Sequence, residues 1–121
     1  MRTLAEIKSE RKSILNEVLI AVMSFQPWDL MHILKNDRTY QDVSLLEFVE
    51  LVQSELNRFK TAGDSVLFLD LDISQGCKCD EPIVVFTGNK SNLRYALYFE
   101  YKADQIIDIY QCNLFGNDYP F

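Results

Sequence analysis

The chain predicts an α+β fold, with N-terminal helices packed on a curved antiparallel sheet, and three observations carry that expectation. Two capping boxes open amphipathic helices in the first half, the hydrophobic period changes from 3.6 to 2 near Ser65, and turn residues then separate consecutive strands. With 121 residues, 48% of them hydrophobic, the chain is long enough to bury a core of its own. No linker, repeat or low-complexity run divides it, so residues 1–121 are expected to form a single domain.

The first box is Thr3-Leu4-Ala5-Glu6, in which the Thr hydroxyl accepts from the third helical amide and Glu6 reaches back to the Thr amide. Leu4, Ile7, Ile14, Leu15, Val18, Leu19 and Val22 then keep a helical period to about Phe25. Pro27 is pre-set for a first helical position and opens a short apolar stretch, Trp28 to Leu34, read as two helical turns. On those turns Trp28, His32 and Lys35 share one side, while Leu30, Ile33 and Leu34 share the other. The second box, Ser44-Leu45-Leu46-Glu47, precedes Phe48, Leu51, Val52, Leu56 and Phe59 at helical spacing, and Gly63 is placed to end that helix in a left-handed turn. Strands follow at Ser65 to Ile73, Pro82 to Thr87, Leu93 to Lys102 and Gln105 to Phe115, the last three joined by Gly88 to Asn92 and by Ala103-Asp104. In the third, Leu93, Tyr95, Leu97, Phe99 and Tyr101 form the apolar face.

A formal charge of −6 opposes nucleic-acid and anionic-membrane binding, which require concentrated basic surface, and the five arginines are scattered. No apolar run approaches the length needed to cross a bilayer, and Glu6, Glu10 and Glu17 interrupt the first twenty residues where a secretory signal would be apolar. A cytoplasmic location is the expectation, with no cofactor.

Trp28 to Leu34 as a second helix, Tyr40-Gln41-Asp42-Val43 leading into the helix Ser44 to Ala62, and the closing strand Gln105 to Phe115 give an order that resembles the nuclear transport factor 2-like superfamily. That is the cone-shaped fold shared with ketosteroid isomerase and the SnoaL-like cyclases. The resemblance covers most of the chain and rests on topology, since the superfamily has no invariant signature. It implies a sheet curling around the long helices to leave a tapering pocket, and a homodimer formed through the sheet. It does not imply catalysis, because one cone hosts isomerases, hydrolases, cyclases and accessory domains.

Family enzymes place a carboxylate inside the apolar cone, where desolvation raises its pKa toward the working pH. Here the candidates are Asp70 and Asp72, on one side of the first long strand, and Asp108, which shares a side of the last strand with Tyr110 and Cys112 while Ile107 and Ile109 share the other. Leu67, Leu69, Leu71 and Ile73 make the cleaner apolar face and favour outward-facing, solvated Asp70 and Asp72. The segment Val66 to Ser74 also resembles the first motif of haloacid-dehalogenase-like phosphatases, but the remaining chain is too short for that fold. For a ligand pocket the candidates are Trp28, Tyr40, Tyr98 and Tyr110, whose rings combine apolar area with one polar handle, and His32, the only histidine. Cys77, Cys79 and Cys112 are weak zinc candidates, because one Cys-x-Cys has no second pair and the reduced-thiol reading competes with it.

The reading reached from these residues is a pocket between helices and sheet that binds a small, mostly apolar ligand. The alternatives are an isomerase-, hydratase- or cyclase-type enzyme using a pocket carboxylate for proton transfer, and a non-catalytic dimeric interaction module.

Overall fold

The computed structural model describes residues 3–9, 14–73, 82–102 and 105–112, with 7–9, 71–73, 82, 101 and 112 in backbone only. Its elements are α1 (Leu4–Ser9), α2 (Ile14–Met23), a 3-10 turn (Pro27–Asp29) running into α3 (Leu30–Ile33), α4 (Leu45–Thr61), and strands β1 (Leu67–Ile73), β2 (Pro82–Gly88), β3 (Arg94–Lys102) and β4 (Gln105–Cys112). The fold is α+β, with helices first and a four-stranded antiparallel sheet in the order β1-β2-β3-β4.

Local chemistry explains the helix ends. Thr3 and Glu6 exchange the two reciprocal bonds of a capping box, each at 3.4 Å, and Ser44 accepts from the Glu47 amide at 3.2 Å. α2 stops in a Schellman pair, Gln26 N to Ala21 O at 2.8 Å and Phe25 N to Val22 O at 3.1 Å, with Phe25 in the left-handed position at φ 58°. α4 stops the same way at Gly63, φ 95°, where a residue without Cβ carries no steric penalty. The single long helix expected from Thr3 to Phe25 is described as α1 and α2, and residues 10–13 between them lie outside the described residues.

One face of the sheet meets the helices. Leu67, Leu69, Val84, Phe86, Tyr95, Leu97, Phe99, Ile106 and Ile109 pack there against α2, α3 and α4 in one continuous buried cluster. The apolar face read for β3 is therefore the core face at Tyr95, Leu97 and Phe99. The opposite sheet face holds a second, smaller buried cluster of Ile83, Val85 and Ala96, with Tyr98 packed against it.

The alternation expected along β4 needs correction. Glu100 pairs with Asp108 but Tyr101 pairs with Ile106, so Ile107 is an extra residue, a β-bulge. The bulge breaks the strict period of two, and Ile106 joins Ile109 in the core while Ile107 is only half-buried. No helix among the described residues is long and apolar enough to cross a membrane.

Candidate functional site

β3 and β4 place four chemistry-bearing side chains in a compact grid. Because Phe99 and Ile109 face the core as a directly opposed pair, the flanking pairs Tyr98–Tyr110 and Glu100–Asp108 project from the other face. The Tyr98 and Tyr110 rings stack with centroids 6.1 Å apart and planes 28° from parallel. Glu100 and Asp108 are like charges placed directly opposite, an arrangement that destabilises a sheet unless something compensates it. Neither is ion-paired among the described residues.

The loop between α3 and α4 closes on this grid from the side. Tyr40 and Val43 bond each other's backbones at 2.9 and 3.1 Å across a two-residue turn, and both turn residues, Gln41 and Asp42, are left-handed at φ 53° and 65°. Such conformations cost non-glycine residues on the order of 1 kcal/mol or more each and persist where the surroundings hold them. Three contacts with β4 hold this turn. The Gln41 amide donates to Asp108 Oδ1 at 2.8 Å, the Gln111 amide donates to Gln41 Oε1 at 2.9 Å, and Arg38 Nη1 donates to the Ile106 carbonyl at 3.3 Å. Asp108 Oδ1 also accepts from the Ile109 amide at 2.8 Å. The Asp108 carboxylate as a hydrogen-bond acceptor for the phenol, then burial and the negative charges of Asp108, Glu100 and Asp42, push Tyr110 up to about 12.

The residues expected to line one pocket are not brought together. Tyr40 is a core residue, 1% exposed, with its ring 5.7 Å from that of Phe48 and its hydroxyl donating to the Lys35 carbonyl at 3.1 Å. Burial raises its phenol above the ordinary value despite that bond. Trp28 is 47% exposed on the helical layer, its indole donating to Gln53 Oε1 at 3.1 Å, and His32 is exposed one turn on. Tyr98 and Tyr110 lie across the sheet from both. Of the acids, Asp70 is half-buried opposite Val85, on the same sheet face as Asp108, and Asp72 is described only by its backbone pairing with Ile83. Cys77 and Cys79 lie outside the described residues, as does the side chain of Cys112. Among the described residues no three His, Cys, Asp or Glu side chains group as metal ligands.

Three residues of the site were missed by sequence reasoning. Gln41 carries no chemistry by type and matters only through its left-handed backbone, for which an Asp beside it in a short link is the sole sequence signal. Glu100 needed the β3–β4 register, and Arg38 had no local cue.

No family model, curated protein or solved structure matches the chain.

Proposed function

We propose that this domain is a non-catalytic binding module whose working surface is the sheet face bearing Tyr98, Tyr110, Glu100 and Asp108, and that it takes the arginine side chains of a basic segment of a partner protein. The observation that carries this reading is the Glu100–Asp108 opposition, which no ion pair neutralises among the described residues, beside a stacked tyrosine pair. A guanidinium is planar, stacks on aromatic faces and bonds carboxylates with its fork of donors, so it meets both halves of the grid and relieves the repulsion. With a chain charge of −6, two copies of this face would set carboxylates against carboxylates, which argues for a basic partner over self-association here. Catalysis fits less well, because Asp108 spends its Oδ1 on two backbone amides and so anchors the turn. For the fold, the order of helices, turn at Tyr40–Val43 and antiparallel meander supports a nuclear transport factor 2-like cone.

The test is an NMR titration of tyrosine ring signals with a peptide of alternating arginine and glycine. Saturable shifts are expected at Tyr98 and Tyr110, with affinity falling about 5–10-fold in each of Tyr98→Leu and Glu100→Gln. Equal binding by a peptide with citrulline in place of arginine would sink the proposal.

A second reading, a small ligand between helices and sheet, is favoured by one specific group. The Tyr95 hydroxyl is buried on the core face with no hydrogen-bond partner among the described residues, and burial, with the charge of Glu55, drives its phenol well above the ordinary value. If nothing occupies that position, Tyr95→Phe removes an unsatisfied group and raises stability by about 0.5–1 kcal/mol in urea unfolding. A loss of similar size would instead mean that a bound molecule or water pairs with the hydroxyl, and would favour the interior ligand.

A further inference from the structure

We infer that residues 113–121 dock across the outer face of the sheet as an intramolecular cover, and that a partner segment pairing arginine with aromatic residues displaces it. Three side chains are buried on the side of the sheet that faces away from the helices. Ile83 and Val85 are 0% exposed and Ala96 is 2% exposed, and Tyr98 is the only described apolar side chain packed on them. Asp70, Arg94 and Tyr98 border this cluster on the same face, and none of them is without a partner. A sheet face left to solvent keeps part of each side chain accessible. Exposure this low in the single chain requires a cover from the chain itself.

Residues 113–121 meet that requirement in composition, position and reach. They include Leu114, Phe115, Tyr119 and Phe121, whereas 10–13, 74–81 and 103–104 hold no large apolar side chain. β4 ends at Cys112, which pairs with Ala96, so the chain leaves the sheet beside the buried cluster. Nine residues span up to about 30 Å and β2 lies about 10 Å from β4, so the segment has the length to cross the face. Gly116-Asn117-Asp118 supplies turn chemistry for a change of direction on the way. The cover adjoins the tyrosine–acid grid through Tyr98, which packs on the cluster and stacks on Tyr110. A surface that takes the chain's own aromatic rings also takes a partner's, and arginines flanking those rings reach Glu100 and Asp108. The class of partner rests on the arginine-binding reading; the cover does not.

The experiment is methyl NMR on the full chain with a soluble paramagnetic probe, comparing the native sequence with Phe115→Ser/Phe121→Ser. In the native chain the Val85 and Ala96 methyls are expected to be shielded while those of the exposed Val66 broaden. In the variant, Val85 and Ala96 are expected to broaden as Val66 does, with Leu69 and Leu97 on the core face still shielded as the check of folding. A peptide of arginine, glycine and phenylalanine is expected to bind the variant about 5-fold more tightly than the native chain, because it no longer competes with the cover. A peptide of arginine and glycine alone is expected to bind both chains equally. Val85 and Ala96 methyls that stay shielded in the variant would overturn the cover, and equal affinity of the two chains for the phenylalanine peptide would overturn its displacement. If neither peptide binds either chain, the arginine-binding reading fails and the displacement with it, while methyl shielding still decides the cover.

Discussion

Asp64→Ala is expected to lower the unfolding free energy by about 3–5 kcal/mol, among the largest effects of any polar substitution in the chain. Asp64 follows the Gly63 turn, is 5% exposed, and is the only buried charged side chain among the described residues. Its carboxylate accepts from the Lys90 and Ser91 amides, each at 2.8 Å, and from the Ser91 hydroxyl. Through these bonds the end of α4 is tied to the β2–β3 turn. The Asn89 side chain adds to the junction by accepting from the Ser65 and Val66 amides at 3.2 and 3.3 Å. Removing the carboxylate loses charge-assisted bonds and leaves three donors to find other partners. Gly88 belongs to the same unit, since a Cβ there would run into the carboxyl group of Asp64. Gly88→Ala should therefore cost much less in the Asp64→Ala background than alone, a non-additivity that a double-mutant cycle in urea detects.

The pH dependence gives this prediction a second check. Burial alone would push the Asp64 carboxyl up. The Ser91 hydroxyl, the Ser91 and Lys90 amides and the Lys90 charge outweigh burial and hold it below the usual carboxylate value. A group with a depressed folded pKa contributes stability above its unfolded pKa and loses it as pH falls through the folded one. The gap between native chain and Asp64→Ala should be full at neutral pH and shrink as pH falls below the ordinary carboxylate range. A gap that does not change with pH, or one below about 1 kcal/mol at neutral pH, would show that Asp64 does not anchor the junction.

The helices and strands were legible because each is specified locally. Thr3–Glu6, Ser44–Glu47 and Gly63 are cap chemistry with fixed offsets, and the period change at Ser65 separates two kinds of backbone without reference to the rest of the chain. The candidate site was not legible in the same way, because it depends on register. Tyr98 and Tyr110 were singled out as separate pocket residues, yet their partnership comes from β3–β4 pairing, which turn chemistry suggested without fixing which residue faces which. Asp108 was assigned the right neighbour, Tyr110, because positions two apart on a strand share a face. The strict alternation along β4 broke between Ile106 and Asp108, because one extra residue at a bulge leaves no compositional trace. Tyr40 shows the reverse limit: its type suits a pocket or a core equally, and only the position of Phe48 decides between them.

Tyr40→Ala is expected to cost about 3–5 kcal/mol, whereas Tyr40→Phe costs about 1 kcal/mol. The ring fills core space against Phe48, so its removal loses transfer free energy and leaves a cavity that α4 and β4 close only in part. The hydroxyl contributes a single bond to the Lys35 carbonyl, and the Phe variant loses only that. The two substitutions also act differently on the sheet edge. Phenylalanine keeps the ring that seats the turn, so Gln41 stays left-handed and its bonds to Asp108 and Gln111 persist. Alanine unseats the turn, Gln41 and Asp42 relax out of their left-handed conformations, and the Gln111 amide and Asp108 carboxylate are released together. Urea unfolding should separate the variants by about 2–4 kcal/mol. Fast exchange of the Gln111 amide should appear in Tyr40→Ala and not in Tyr40→Phe. If both variants fall within about 1 kcal/mol of the native chain, the ring is not the anchor and the turn is held by its polar contacts alone. If Tyr40→Ala is strongly destabilised but the Gln111 amide remains protected, the core and the edge are independent, and the seat of the turn lies in Asp108 and Arg38.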